Sequence, residues 1–194
     1  ADSIRTPYIL TDNGDWEETI KKVGSFSIGP FNGTNDVITV TPSASMDFVA
    51  GNPWSWAGWY YPTNVSSYNW IFAQGNASSA MFAHGFGTKI YYGQSTYPNT
   101  IQKHTVAGEL TLNAWNHIVI TCNGDGISSD ATTRENAYKV YVNATASTDE
   151  STDSNPQLTS GSAGGNPLRI GNRAAGSLGW NGYIDDTAMF NVAL

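Results

Sequence analysis

Residues 54–62 read Trp-Ser-Trp-Ala-Gly-Trp-Tyr-Tyr-Pro, and this stretch carries the first decision about the fold. Its aromatic side chains favour an extended strand, in which successive side chains point to opposite faces. One face then holds Trp54, Trp56, Gly58 and Tyr60, and the other holds Ser55, Ala57, Trp59 and Tyr61. One of these faces must fill a core, so the other is free to line a groove.

Comparable stretches, rich in β-branched and aromatic residues, recur at short intervals along the chain. Each is bounded by Gly, Asn, Asp or Pro, and this spacing predicts an all-β sandwich. The predicted strands are 26–28, 36–40, 55–61, 69–73, 81–84, 89–93, 100–105, 117–122, 137–142, 168–171 and 183–190.

Three stretches depart from the strand pattern. Residues 15–23 begin with an acidic cap, contain Lys21 and Lys22 near their end and are followed by Gly24, which indicates a short helix, although 19–23 could equally form an edge strand. Residues 126–136 and 143–166 are polar and predict loops, the second with a short strand at 157–159.

The composition supports one large β unit. The 194 residues fit a single domain, 1–194. Charged residues make up only 13%, against about 25% in an average domain, so the side chains that cover exposed helix faces are lacking. Aromatic residues make up 12%, which excludes a disordered chain.

The charge balance excludes several partners. Nine basic and 16 acidic residues give a net charge of −7, with no basic cluster longer than Lys21-Lys22, so no nucleic-acid partner is expected. No apolar run approaches the roughly 20 residues of a membrane span, so no membrane insertion is expected. The single cysteine, Cys122, is in phase with Ile118 and Ile120, which predicts an inert thiol on the apolar face of a strand.

Six stretches carry a family resemblance when they are read in order. They are residues 31–40 (FNGTNDVITV), 54–62 (WSWAGWYYP), 115–121 (WNHIVIT), 139–143 (KVYVN), 167–171 (PLRIG) and 180–191 (WNGYIDDTAMFN). Together they resemble the laminin G-like domains of the concanavalin A-like lectin and glucanase superfamily, including those of phage tail, virion and bacterial surface proteins.

The resemblance implies an architecture and a context. The architecture is a two-sheet antiparallel jelly-roll β-sandwich. Because the family's final strand reaches Leu194, the resemblance also implies a domain excised from a larger protein.

The sequence does not carry the catalytic pattern of the superfamily's glucanases. These glucanases carry carboxylates on alternate residues of one strand, because retaining hydrolysis needs two carboxyls about 5 Å apart. No predicted strand has that pattern. Lyases of this fold use His with Tyr, Arg and Gln, and only Tyr92, His104 and Gln102 could be forced into that role. His117 alternates with Val119 and Thr121 and is interpreted as structural, so we expect no enzymatic activity.

The resemblance also implies a structural calcium ion, which superfamily members often hold between the start of the chain and an Asp of the last strand. Asp185 matches that Asp, and oxygen ligands from residues 12–15, Asp15 among them, or from 32–33 could complete the site. The alternative is that Asp185 accepts backbone N–H bonds at a turn.

Candidate ligand-binding residues follow from the aromatic content. Sugars present apolar faces that stack on rings, which makes the outward Trp59 and Tyr61 candidates, with Tyr91 or Tyr92 and Tyr97 nearby. The alternative is that these rings cover a thin core.

Three functional hypotheses result. The first is a non-enzymatic carbohydrate-binding or adhesion module, extracellular or on a virion surface, whose partner is a glycan or polysaccharide. The second is a purely structural module that contacts other virion or surface proteins, suggested by the Asn-, Thr- and Ser-rich, weakly charged sequence. The third is a polysaccharide lyase or glycoside hydrolase.

Overall fold

The structure is a computed structural model, and it describes most of the chain. The described residues are 16–17, 19–25, 27–41, 49–66, 68–75, 79–96, 98–147, 149–159, 165–173 and 178–194. For residues 16, 17, 79 and 149–153, only the backbone is described.

In the described residues, fourteen strands form two antiparallel sheets of seven strands each. The first sheet has the order β1 (Trp16–Glu17), β2 (Ser27–Asn32), β14 (Asn181–Phe190), β4 (Trp54–Pro62), β9 (Asn116–Cys122), β10 (Tyr138–Val142) and β11 (Thr145–Ala146). The second has the order β12 (Asp149–Ser154), β8 (Asn99–Thr105), β7 (Lys89–Thr96), β6 (Ser79–Phe86), β5 (Tyr68–Gly75), β13 (Leu168–Ile170) and β3 (Ile38–Val40). The predicted all-β jelly-roll sandwich is confirmed.

Each of the eleven predicted strands corresponds to an observed strand, with ends that differ by a few residues. The segment 15–23 was predicted less well. Its described residues contain no helix, because Trp16–Glu17 pair with β2 as an edge strand, and 19–23 form bends where an edge strand was expected.

The two predicted loops also contain regular structure. Residues 126–136 include a helix, α1 (Ala131–Asn136), preceded by a 3-10 turn at Asp125–Ile127. Residues 143–166 include β11 and β12, whereas 157–159 form no strand. Polar edge strands such as β12 lack the apolar alternation on which the prediction depended, since an edge needs only one paired side.

The core lies between the sheets and is organised around β4. Trp54, Trp56 and Tyr60 are each at most 1% exposed, so the first of the two predicted faces is the inner one. Trp56 stacks on Phe72 of β5 at 4.3 Å between ring centroids, which joins the two sheets. Trp56 Nε1 also donates to Tyr60 Oη at 2.7 Å, so the buried indole N–H has an acceptor.

Cys122 is fully buried in this core, as predicted. Burial raises the pKa of its thiol to about 11, because the thiolate would lose its hydration. The native thiol is therefore expected not to react with a disulfide reagent at pH 8 and to react stoichiometrically once the chain is unfolded in guanidinium. Rapid labelling of the native protein would contradict the buried position.

Helix α1 is held in place by two side chains. Asp130 caps it by accepting from the Thr133 backbone N–H at 2.7 Å. The buried Arg134 donates to the carbonyls of Ser128 and Ser129 and to both oxygens of Asn155, at 2.8 to 3.3 Å. One guanidinium thus closes the loop before the helix onto the segment that follows β12.

Arg134→Ala should lower the free energy of unfolding by about 2 kcal/mol, because it removes four hydrogen bonds made by a side chain that is itself buried. Lys139→Ala removes an exposed cation from β10 and serves as the control, with an expected change of less than about 0.5 kcal/mol. Equal midpoints for the two variants in urea denaturation would show that the Arg134 clamp is not needed.

Candidate functional site

A row of directly opposite residues crosses four strands on the outer face of the second sheet. It runs from Trp70 on β5 through His84 on β6 and Tyr91 on β7 to His104 on β8. Successive ring centroids are 5.0, 5.1 and 5.0 Å apart, and the rings of His84 and Tyr91 are nearly parallel, at 7°. We call these four residues the ring ladder.

Strand alternation places the ring ladder on the outside. The neighbours Ile90, Tyr92 and Ile101 are fully buried between the sheets, so the residues beside them must point outward. His84 and His104 are 5% and 7% exposed because the stacked rings cover one another. Trp70 and Tyr91 are half-buried, so within the ladder they expose more surface than the two histidines.

Two exposed rings lie beside the ladder. Tyr68 and Phe86 are direct cross-strand partners, each 42% exposed, with ring centroids 4.8 Å apart. Tyr68 also contacts His84, and Phe86 contacts Tyr91. They extend the ladder with an apolar surface that a ligand can reach.

A cation lies at the Trp70 end of the ring ladder. The guanidinium carbon of Arg173 lies 5.6 Å from the centroid of the Trp70 ring. Arg173 follows β13, the neighbour of β5 on the side away from β6. The face thus combines stacked rings, an exposed aromatic pair and one arginine.

The outer face of the first sheet carries a second aromatic group. Tyr61 packs edge-to-face on Trp115 at 5.6 Å and on Tyr183 at 5.8 Å. Trp59 lies 4.7 Å from the ring of His117, and the Nζ of Lys22 sits 4.5 Å above the Trp59 ring. Both predicted stacking residues point outward, half-buried, and Lys22 occupies one side of Trp59.

The structure does not bring the predicted ligand residues together. Tyr91 lies on the opposite side of the sandwich from Trp59 and Tyr61, and Tyr97 is outside the described residues. Tyr92 was predicted wrongly, because its ring is 0% exposed in the core and no ligand can stack on it from outside. The ring ladder could not be predicted from the sequence. Its residues come from four strands, and the sequence alone does not specify the register between them.

A laminin G family model, described as the concanavalin A-like lectin/glucanases superfamily, matches residues 32–194. The chain belongs to this superfamily. No protein with curated annotation matches it at a significant level.

Solved structures show the same fold at low identity. The binding domain of botulinum neurotoxin serotype G has a TM-score of 0.66 and 13% identity, and the match covers 97% of this chain and 44% of that one. Domain 4 of an extracellular GH43 arabinanase from Geobacillus stearothermophilus, in complex with arabinotriose, has a TM-score of 0.64, 15% identity, and coverage of 95% and 78%. The CBM40 of the Ruminococcus gnavus IT-sialidase, bound to α2,3 sialyllactose, has a TM-score of 0.54, 9% identity, and coverage of 80% and 90%. This chain thus spans less than half of the toxin binding domain.

The three residues of the lyase hypothesis do not lie on one face of the sheet. Gln102 and His104 of β8 point to the outer face of the second sheet, whereas Tyr92 points into the core. The proposed lyase trio is therefore divided by the sheet.

Calcium was expected at Asp185, and the structure gives this carboxylate another partner. Asp185 Oδ2 accepts the backbone N–H groups of Lys22 at 2.9 Å and Val23 at 2.8 Å. This is the alternative role predicted from sequence, with donors from a distant segment instead of a local turn. Within the described ranges, no three His, Cys, Asp or Glu residues cluster as metal ligands. Calcium binding at Asp185 stays a prediction. Asp15 lies outside the described residues, and its role stays a prediction.

Nothing in the described part of the chain resembles a membrane-spanning helix in both length and apolar character.

The neighbour of Asp185 offers a matched control for its role. Asp186 is exposed, with φ at 43°, a conformation that Asn tolerates well. Asp185→Asn should cost about 1 kcal/mol of unfolding free energy, because it weakens two charge-assisted bonds to the segment 20–24. Asp186→Asn should change the free energy by less than about 0.5 kcal/mol. Equal values in chemical denaturation would contradict the tie between Asp185 and Lys22–Val23.

Proposed function

We propose that this protein is a non-enzymatic carbohydrate-binding module and that the outer face of the second sheet is its binding surface. The observation that carries the proposal is the ring ladder with the exposed Tyr68 and Phe86 beside it. Aromatic groups on an outer sheet face are costly to leave in water, and a run of six contacting rings is more than scattered surface residues require.

The chemistry of this face matches that of sugars. A pyranose has an apolar C–H side and a rim of hydroxyls. Tyr68 and Phe86 supply the apolar contact, and the half-buried Tyr91 places a phenol next to it. Apolar walls with a few placed polar groups are what small-ligand sites generally show.

The comparisons support this proposal at the level of fold. Two of the similar structures are described with a bound sugar, arabinotriose in one and sialyllactose in the other. By analogy we place this chain in a secreted or surface-exposed protein, where polysaccharides are met.

Binding without catalysis is favoured over the other hypotheses. The lyase trio is divided by the sheet, and the strands β5 to β8 under the face contain no Asp or Glu for a hydrolytic pair. A purely structural module of a virion or cell surface, the remaining alternative, predicts that no glycan binds.

A glycan array followed by calorimetry on the best ligand tests the proposal. Tyr68→Ala combined with Phe86→Ala should weaken binding by tenfold or more, because both accessible rings are lost. Tyr61→Ala removes a half-buried ring from the opposite sheet and should leave the affinity unchanged. A Tyr61 variant that loses binding while the double variant retains it would move the site to the first sheet, and no binding to any glycan would reject the function.

A further inference from the structure

Among the described residues, the guanidinium of Arg173 has no hydrogen-bond acceptor. Its Nε is buried and makes no hydrogen bond, and no described carboxylate pairs with it. The nearby Asp36 has both carboxylate oxygens occupied by Asn32, through the backbone N–H and the side-chain amide. Among the described residues, the one partner of the guanidinium is the face of Trp70.

Trp70 adds a second donor at the same place. Its Nε1 is also buried without a hydrogen-bond partner, on the ring that Arg173 covers at 5.6 Å. A buried donor left unpaired has lost its hydrogen bonds to water without gaining a replacement. These two donors belong to side chains that contact each other at one end of the ladder, and an acceptor oxygen placed there would be stabilised.

The charges around this position point to an anion. The whole chain carries a net charge of −7, yet β3, β5, β6, β7, β8 and β13 contain no Asp or Glu. The acids on the strands of the second sheet lie on β12, four strands away from β5, and the nearer Asp36, which precedes β3, is buried with its carboxylate held by Asn32. The distance from β5 to the β12 acids follows from the strand spacing. At about 4.8 Å per strand this is roughly 19 Å, well beyond the Debye length of about 8 Å at physiological salt. Apart from the buried Asp36, the charged side chains described at this end of the face are the arginines Arg173 and Arg169.

We propose that the ring ladder binds an acidic glycan and that Arg173, with Trp70, receives its carboxylate. The inference rests on the proposed carbohydrate-binding function and adds the class of sugar. A planar guanidinium donates two parallel hydrogen bonds to a carboxylate, and stacking on an indole keeps the two donating N–H groups oriented. The sugar ring would then lie along the ladder, with its apolar side toward Tyr68 and Phe86.

Matched pairs of ligands separate charge from shape. Trigalacturonic acid and its methyl ester differ only in the carboxylates, and 3′-sialyllactose and lactose differ by the sialic acid, so the two pairs also distinguish the two sources of the carboxylate. We expect one acid to bind at least tenfold more tightly than its neutral partner in calorimetry. That preference should shrink as sodium chloride is raised.

Three variants locate the contact. Arg173→Gln should abolish the preference for the acid and leave binding of the neutral partner unchanged. Arg173→Lys should retain part of the preference for the acid, since the positive charge remains but the paired N–H donors of the guanidinium are lost. Arg169→Gln removes the same charge from β13 on the same sheet and should have a small effect, because Arg169 does not cover Trp70. Thermal unfolding of each variant confirms that it is folded.

The outcomes separate the two proposals. If neutral glycans on the array bind and neither acid is preferred, the acidic-ligand inference is overturned and the carbohydrate-binding function stands. Equal losses for Arg173→Gln and Arg169→Gln would also overturn it, because the effect would then be general electrostatics. If no glycan binds, the carbohydrate-binding function fails and the inference falls with it.

Discussion

The packing of β4 against the opposite sheet determines which side chains form the core and which face outward. Trp54, Trp56 and Tyr60 of β4 are buried on one side, and Trp56 lies flat on Phe72 of β5. Large aromatic side chains bury the most apolar area per residue, so this contact dominates the driving force for joining the sheets. Because the side chains of a strand alternate, committing these residues to the core fixes which residues of β4 and β5 face outward.

The two outer faces created in this way differ in how they are covered. On the first sheet, the segment 20–24 crosses near Trp59, held by Asp185 and by the ammonium of Lys22. On the second sheet, the ring ladder has Tyr68 and Phe86 exposed beside it, and Arg173 at its end has no acceptor in the part of the chain that the structure describes. The same folding constraint thus produces one face that the chain partly covers itself and one that offers rings and donors to a ligand.

The fold could be predicted from the sequence because the alternation of side chains along a β-strand is a local pattern. The inner and outer residues of β4 follow from residues 54–62 alone, and the position of Cys122 follows from its own strand. The site was reached only in part. Trp59 and Tyr61 were correctly assigned to one face, but Tyr92 was assigned outward because neighbouring tyrosines give no phase by themselves. The ladder depends on the register between four strands, and the Arg173 contact depends on a loop after β13; neither is written in a local pattern.

The three histidines provide a direct measurement of the central claim, because His84 and His104 belong to the ring ladder and His117 lies against Trp59 on the opposite sheet. Imidazole resonances of the labelled protein can be followed by NMR while the tightest glycan from the array is added. The account predicts that the signals of His84 and His104 shift saturably and that those of His117 do not. Shifts confined to His117 would contradict it and place the ligand on the first sheet.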